Sequence, residues 1–221
     1  MGAIAGSRTA RARLCYPLGM ANCAKALRIR IVAPAGPVND TDLLSGAEVL
    51  KARGHAVQFG AHAFGRFGYL AGSDDERLSD LQEALDDPGL DVVWFARGGF
   101  GTTRLLPRLS GAGLSAAPKT LAGYSDATAL HAWAQRLEGA RLLYAPSVQE
   151  LGREGVCQQD SLWVALDGEA SRLPANGPAA ASGPHPVAGG CLSLLTALVG
   201  TPWAPEVSGR WLFLEDVMTR Y

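Results

Sequence analysis

The chain has 221 residues, of which 48% are hydrophobic and 19% are charged, and its formal net charge at pH 7 is −1. This composition is typical of a folded globular protein and excludes a largely disordered chain. The nearly neutral charge argues against nucleic acid as a partner, because phosphate binding needs a basic excess that displaces counterions. The length predicts one complete domain and a smaller or incomplete second unit.

The N-terminal residues 1–27 form a predicted leader. They contain several arginines and no acidic residue, a composition close to that of a targeting segment. Because the continuous apolar core of a secretory signal is missing, we expect a disordered or wrongly assigned leader, with Met20 as an alternative start. No apolar run of the chain is long enough to span a bilayer, so no membrane partner is expected. The cysteines lack C-x-x-C and zinc-ligand spacing, which indicates reduced thiols and a cytoplasmic protein.

A β-α-β unit is predicted immediately after the leader. Residues 27–33 alternate between polar and apolar and then become fully apolar, as in a strand that enters a covered sheet. A helix is expected between Asn39 and Gly54, because the first is a capping residue and the second a typical helix stop. Residues 55–59 then form a second strand.

The next helix, strand and helix are predicted from helix-capping and helix-ending residues and from an apolar run. Ser73 and Glu76 have the spacing of a capping box, and residues 87–89 (Asp-Pro-Gly) end the helix that follows. Residues 90–96 are a buried-strand run, and another helix is expected to start near 102–103.

A glycine-rich turn at residues 97–101 raises the alternative of nucleotide binding. Backbone amides at such a turn can hold a pyrophosphate. The spacing does not fit, because Gly99 and Gly101 are followed by Arg104 where the motif requires glycine, and no acidic residue lies about 20 positions further on. We therefore expect no organic cofactor, and no metal is indicated.

Ser125 lies between a predicted strand at 119–124 and a predicted helix at 128–137. A sharp strand-to-helix turn exposes a serine hydroxyl and aims the first helical amides at an oxyanion beside it. The G-x-S-x-G pattern is incomplete, because Ala127 occupies its last position. The alternative is that Ser125 and Asp126 only cap the helix.

The remainder of the chain predicts a break between two units. The predicted elements are a strand at 141–145, a mostly helical stretch at 149–166, a helix-like run from 187 to 199 and a strand at 211–214. Residues 166–186 are rich in proline, alanine and glycine and form a predicted linker. The expected organisation is an α/β domain at 28–165 and the start of an incomplete second domain at 187–221.

Several separated segments, in matching order and spacing, resemble one known family. The segments are 93–106, 123–130, 200–202 with 212–217, and the shorter matches 69–72 and 75–77. They resemble the LD-carboxypeptidase family of serine peptidases, which includes the muropeptide tetrapeptide carboxypeptidases and the microcin C immunity peptidases. The resemblance implies a Rossmann-like N-terminal domain with a parallel sheet flanked by helices, followed by the start of a second, truncated domain.

The resemblance also implies roles for individual residues. Ser125 would be the nucleophile and Glu215 the acidic member of a Ser-His-Glu triad. The backbone amides of Gly99 and Asp126 would form the oxyanion hole, and Arg97 and Gly98 would contact substrate. Arg97, like Arg104, could instead make a structural ion pair.

The triad histidine is the main departure from the family pattern. None of the four histidines occupies the family's histidine position; they are His55, His62, His131 and His185. The 221-residue form is therefore expected to be inactive if nothing else supplies the base. Two smaller departures are residues 144–146 (Tyr-Ala-Pro), where the family often has His-Gly-Pro, and residues 189–191 (Gly-Gly-Cys), where it often has Gly-Gly-Asn.

The function that the resemblance implies is a cytoplasmic LD-carboxypeptidase. It would release the terminal D-alanine from murein tetrapeptides in peptidoglycan recycling, with a murein tetrapeptide or a similar peptide as its partner. Two alternatives stay open, an inactive remnant that only binds peptide or a partner, and a microcin C immunity-type peptidase that cleaves a peptide-nucleotide antibiotic. A homodimer is also left open.

Overall fold

The computed structural model describes residues 25–153, 156–168 and 186–217. Residues 1–24 of the predicted leader and most of the predicted linker therefore lie outside the described residues. The strands are β1 (Arg28–Val32), β2 (Ala56–Phe59), β3 (Val92–Phe95), β4 (Lys119–Gly123), β5 (Ala140–Tyr144), β6 (Val187–Cys191) and β7 (Trp211–Glu215). The helices are α1 (Asp40–Ala52), α2 (Asp74–Asp86), α3 (Ala112–Ala116), α4 (Ala127–Ala134), α5 (Val148–Leu151), α6 (Val156–Leu166) and α7 (Leu192–Leu198).

Five strands form one parallel sheet in the order β2-β1-β3-β4-β5. Each crossover between parallel strands contains an α-helix, and the crossover from β3 to β4 also contains two 3-10 helices. Because strand order reverses between β1 and β3, the loops after these strands diverge and leave a crevice at the carboxyl edge of the sheet. The predicted α/β class with a parallel sheet is confirmed.

Both faces of the large sheet are covered. One apolar cluster joins Ile29, Ile31 and Trp94 to helices α1, α5 and α6, and a second joins Val93 and Phe95 to helices α2, α3 and α4. All four residues of β3 are buried, as expected for a central strand between two helical layers. This packing holds the carboxyl ends of the strands in fixed positions.

Two predicted helices differ in the structure. Near Thr102 the chain forms two 3-10 helices, Thr102–Arg104 and Leu106–Arg108, where an α-helix was expected. Pro107, inside the second, has no N–H to donate to an α-helical ladder. The stretch at 149–166 is divided at Gly152, whose missing side chain lets the chain approach α1, since a Cβ there would lie 2.7 Å from the Asp42 carbonyl oxygen.

The predicted helix-like run from 187 to 199 is wrong in its first half. Residues 187–191 are β6, which pairs in parallel with β7, and only the second half is helical. Gly189 and Gly190 have φ values of 139° and 140°, which no helix accommodates. A Cβ on Gly189 would lie 1.8 Å from the Phe213 carbonyl oxygen, and a Cβ on Gly190 would lie 2.5 Å from Thr128 Oγ1. Gly189 therefore permits close pairing with β7 and Gly190 permits the close approach of α4, which their sequence context does not reveal.

The two-stranded sheet is attached to the large sheet through α4. The Cys191 N–H donates to Thr128 Oγ1 at 3.0 Å. An apolar cluster joins Ala129 and Ala132 of α4 to Leu198 of α7. These contacts bring the end of β7 to the carboxyl edge of the large sheet. In the described ranges, no helix combines the length and hydropathy that a membrane span requires.

Candidate active site

The turn between β4 and α4 places Ser125 in an unusual backbone conformation. Its φ is 57°, the left-handed region, and among the described residues it is the one non-glycine residue with positive φ. Such a conformation costs about 1–2 kcal/mol for a residue with a Cβ and persists where surrounding structure enforces it. It is the geometry of a nucleophile elbow, which lifts the side chain out of the strand.

Ser125 does not act as a side-chain cap of α4. The N-cap residue of that helix is Asp126, and no side-chain capping hydrogen bond is formed there. Within the described part of the chain, the Ser125 hydroxyl has no hydrogen-bond partner. The local geometry therefore argues against the alternative in which Ser125 and Asp126 only cap the helix.

Gly123 makes the turn sterically feasible. Its φ is 158°, and a Cβ there would lie 2.9 Å from the Cβ of Ala127 and 3.0 Å from the Cβ of Phe95. Distances below about 3.0 Å are repulsive, so a larger residue would push α4 away from the sheet. The glycine two residues before the serine thus permits the tight approach of helix and strand.

A second turn, at the end of β3, lies against the serine side chain. A Cβ on Gly98 would lie 3.1 Å from Ser125 Cβ and 3.2 Å from Ser125 Oγ. This turn is fixed by the loop after β1, since the Gly36 N–H donates to the Gly98 carbonyl at 3.2 Å. Gly99 has φ 126°, and a Cβ on it would lie 2.9 Å from Gly36 N. The serine hydroxyl thus faces a rigid wall of backbone.

Several backbone donors at these turns are free, and those of Gly99 and Asp126 are among them. Among residues 25–153, 156–168 and 186–217, the N–H groups of Gly99 and Asp126 have no hydrogen-bond acceptor. The N–H of Ser125, in contrast, donates to the Tyr144 hydroxyl at 3.0 Å. Free amides beside a serine are the donors that an oxyanion needs.

The side chain of Asp126 ties the two turns together. It is fully buried, and its Oδ2 accepts the Thr102 N–H at 2.9 Å. Burial raises the pKa of this carboxyl above its ordinary value. Its other oxygen is buried without a partner among the described residues. The carboxyl therefore links the segment after Gly99 to the start of α4, where the two free amides lie.

Tyr144 joins the serine turn to the second sheet. Its hydroxyl accepts the Ser125 N–H and donates to Glu215 Oε1. Burial, with Glu215 as the next cause, raises the pKa of the Tyr144 hydroxyl, so it stays protonated and can donate. The structure thus brings Ser125 and Glu215 to opposite sides of one phenol oxygen.

A second tyrosine–glutamate pair lies beside the first. The Tyr124 hydroxyl donates to Glu150, and Glu150 also accepts the Ser147 N–H at 3.0 Å and the Ser147 hydroxyl at 2.9 Å. A cavity of about 270 Å³ opens between the two tyrosines at the ends of β4 and β5. Two phenol–carboxylate pairs therefore line this edge of the sheet.

The predicted substrate arginine already has a structural partner. Arg97 is exposed, and its guanidinium donates to the Pro37 carbonyl oxygen. Arg104 makes a two-atom ion pair with Asp74, with Nη2–Oδ2 at 2.7 Å. Both arginines thus stabilise loops around the crevice, and Arg97 stands next to Gly98 at its rim.

The three described histidines have partners away from Ser125 and Glu215. His131 is buried, its Nε2 lies 3.0 Å from the Leu121 carbonyl oxygen, and burial lowers its pKa to about 4, so it is neutral. His55 accepts the Leu27 N–H, and His62 pairs with Asp80. His185 lies outside the described residues. In the same ranges, no group of three His, Cys, Asp or Glu side chains is placed to hold a metal ion.

Sequence reasoning missed two participants at this site. In the sequence, Tyr144 is only a departure from the His-Gly-Pro pattern and has no predicted role. The sequence predicts only a helix cap for the Asp126 side chain. In the sequence, Tyr144 has one signal, its place at the end of a strand that follows the serine helix, and this signal does not identify its partners.

The chain matches family models over most of its length. The model of the LD-carboxypeptidase N-terminal domain matches residues 29–145, and that of the LD-carboxypeptidase C-terminal domain matches residues 185–221. A Streptomyces coelicolor protein named "putative carboxypeptidase" is 38% identical over 214 residues, which cover 89% of this chain and 67% of that protein.

Two solved structures share the fold. The microcin C7 self immunity protein MccF, in an inactive mutant apo state, matches with a TM-score of 0.75 at 25% identity, over 87% of this chain and 69% of that chain. The muramoyltetrapeptide carboxypeptidase from Oxalobacter formigenes matches with a TM-score of 0.69 at 31% identity, over 86% of this chain and 65% of that chain. The chain thus spans about two thirds of the length of these proteins.

Proposed function

The chain belongs to the LD-carboxypeptidase family, and from this membership we propose that it is a serine carboxypeptidase acting on murein tetrapeptides. It would hydrolyse the L,D peptide bond before the terminal D-alanine, in the cytoplasm, during peptidoglycan recycling. The observation that carries the proposal is the left-handed backbone of Ser125 at the end of β4. The name of the similar muramoyltetrapeptide carboxypeptidase supports the substrate class.

In the proposed reaction, Ser125 Oγ attacks the carbonyl carbon of the scissile bond. Its proton passes to a base, and a tetrahedral oxyanion forms. The carbon–nitrogen bond then breaks, the base returns the proton to the departing amine, and D-alanine leaves. Water, deprotonated by the same base, hydrolyses the remaining ester and restores the serine.

The amides of Gly99 and Asp126 are the proposed oxyanion hole. Their freedom from other acceptors in the described part of the chain supports this role. The Ser125 amide is a poorer candidate, because the Tyr144 hydroxyl already accepts its hydrogen bond. Amides fixed before the reaction stabilise the developing charge without reorganising.

Glu215 is the proposed acidic residue that orients the base. It lies half-buried at the end of β7, and a carboxylate there can hold an imidazole in one tautomer. In the family the base is a histidine, and the histidines of the described part of the chain hydrogen-bond elsewhere. The proposal therefore assigns the acid and the nucleophile and leaves the base to residues beyond those ranges.

A second candidate function has its own support. The TM-score of 0.75 to MccF favours a peptidase that cleaves a peptide-nucleotide antibiotic. The two functions share the serine chemistry and differ in the group that the enzyme releases. A third alternative is a remnant that binds peptide without hydrolysis.

The experiment compares the wild-type chain with Ser125→Ala and Glu215→Ala. Labelling by a fluorophosphonate reports the nucleophile, and release of D-alanine from a purified murein tetrapeptide reports turnover. Ser115→Ala is the matched control, because Ser115 is an exposed serine on α3. We expect both signals to fall by at least about 1,000-fold in Ser125→Ala, as when a catalytic-triad member is lost.

Each other outcome selects an alternative. D-alanine release at the wild-type rate from Ser125→Ala would refute the assignment. Labelling of Ser125 without D-alanine release, together with cleavage of a peptidyl-nucleotide, would favour the second candidate. No labelling and no turnover by the wild-type chain, with tetrapeptide binding retained, would favour the non-catalytic alternative.

A further inference from the structure

We propose that Tyr144 is a positioning residue that fixes Glu215 relative to the Ser125 turn through a single hydroxyl group. This inference rests on the proposed function, because it gives Glu215 and Ser125 their parts in the reaction. Tyr144 stands where the family often has histidine, so the feature belongs to this chain and not to the resemblance.

The hydrogen-bond directions at the hydroxyl are determined by its chemistry. A phenol has one proton and can both donate and accept. The Ser125 N–H can only donate, so the Tyr144 oxygen accepts it, at 3.0 Å, and the single phenol proton points to Glu215. The arrangement requires a protonated Tyr144, and the raised pKa of Tyr144 keeps it protonated.

The ring of Tyr144 is held on the same face of β7 as Glu215. Phe213 and Glu215 are two residues apart on the strand, so their side chains point to the same side. The Tyr144 ring meets the Phe213 ring edge-on at 5.3 Å between centroids, and the His131 ring at 6.2 Å. Ring and hydroxyl therefore contact one face of one strand, which restricts the rotation of Tyr144.

Glu215 depends on this one contact. Among the described residues, its carboxylate has no other hydrogen-bond partner. The neighbouring pair is different, because Glu150 is held by Ser147 as well as by Tyr124. Loss of the Tyr144 hydroxyl would free the Glu215 side chain, whereas loss of the Tyr124 hydroxyl would leave Glu150 in place.

The contact also crosses between the two sheets. Tyr144 ends β5 of the large sheet and Glu215 ends β7 of the small one, 71 residues later in the chain. In the proposed reaction the nucleophile and the acid therefore sit on different sheets. A bridge through one hydroxyl restricts the movement of Glu215 relative to the Ser125 turn, and catalytic groups need positioning to within about 0.5 Å.

The test is a double-mutant cycle of Tyr144→Phe and Glu215→Gln, with Tyr124→Phe for comparison. The readouts on the full chain are the rate of fluorophosphonate labelling of Ser125, kcat and KM for D-alanine release, and Tm. We expect Tyr144→Phe to lower the labelling rate and kcat about tenfold, the rate equivalent of one hydrogen bond to a charged group, with KM changed less than about twofold. Tyr124→Phe should lower both rates less than about threefold.

The cycle separates positioning from a merely structural role. In the Glu215→Gln background, adding Tyr144→Phe should change the rates less than about twofold, because the group that Tyr144 positions has already been altered. Tyr144→His keeps a ring donor, so its labelling rate and kcat should lie between those of Tyr144→Phe and wild type. A tenfold effect that persists in the Glu215→Gln background, or no effect of Tyr144→Phe on rate, would overturn the inference.

The Tm shifts of the variants test the bridge between Tyr144 and Glu215 even when the proposed function is refuted. Absence of labelling in the wild-type chain, or equal labelling of Ser125→Ala, would refute the proposed function. In that case the Tm shifts of Tyr144→Phe and Glu215→Ala, alone and combined, decide whether the bridge exists, because alanine removes the acceptor that glutamine would keep. Shifts that combine to less than their sum support it, and fully additive shifts overturn it.

Discussion

Replacement of Ser125 by glycine should give a more stable protein than its replacement by alanine. Both variants lack the hydroxyl, so they differ only in the Cβ at a position where φ is 57°. In ordinary structure the order is the reverse, because glycine loses more chain entropy on folding. The comparison thus isolates the backbone strain that the proposed nucleophile turn imposes.

The size of the effect follows from two opposing contributions. A Cβ in the left-handed region costs about 1–2 kcal/mol, and glycine relieves this cost. Glycine loses about 0.4–1 kcal/mol through the greater freedom of the unfolded chain. The net expectation is that Ser125→Gly exceeds Ser125→Ala in free energy of unfolding by about 0.8 kcal/mol, or about 2–3 °C in Tm for a chain of this size.

The assay is urea denaturation of both variants, with Tm from thermal melts as a second measure. Ser45 is the matched control, because it is an exposed serine in the interior of α1. There the glycine variant should be the less stable by about 1 kcal/mol. If Ser125→Gly is also less stable than Ser125→Ala by a similar margin, the turn is not strained and the reasoning is wrong.

Three further predictions concern buried and paired charges. The pKa of Asp126 is raised in the folded state, so its carboxyl stabilises the fold most below its ordinary pKa and loses this contribution as pH rises through the raised pKa. The urea midpoint of Asp126→Asn should therefore rise relative to that of wild type between pH 4 and pH 8. A difference in midpoint that stays constant over this range would contradict the prediction. Arg77 and Arg104 both pair with Asp74, but the Arg77 side chain is buried and the Arg104 side chain is exposed. Arg77→Met should therefore lower the free energy of unfolding by about 3 kcal/mol, and Arg104→Met should lower it by less than about 1 kcal/mol. Equal urea midpoints of the two variants would contradict this prediction. The hydrogen bond to Asp80 raises the pKa of His62, so the contribution of His62 to stability is complete below the ordinary histidine pKa and is lost as pH rises through the raised pKa. In thermal melts from pH 5 to pH 9, the Tm of His62→Gln should therefore vary less with pH than the Tm of wild type.

Local sequence patterns are sufficient to predict the elements of the large sheet. Residues 90–96 form a strand because a run of apolar side chains has to be covered on both faces, and β3 is buried at every position. The capping box at Ser73 and Glu76 predicted the start of α2, and both of its hydrogen bonds are formed. The position of Ser125 between strand and helix was also readable, because periodicity changes on its two sides.

The surroundings of that serine depend on packing between distant elements. Local patterns cannot show that Gly189 and Gly190 are extended, since two glycines fit several conformations, and the one they adopt depends on the Phe213 backbone beside Gly189 and the Thr128 side chain beside Gly190. Nor can they show that one tyrosine oxygen lies between the Ser125 amide and Glu215. These contacts join residues 19 and 71 positions apart, and they form because the parallel sheet aligns its carboxyl ends while α4 holds the second sheet against them. Propensity acts over a few residues, whereas the site is assembled by packing between elements that are distant in the chain.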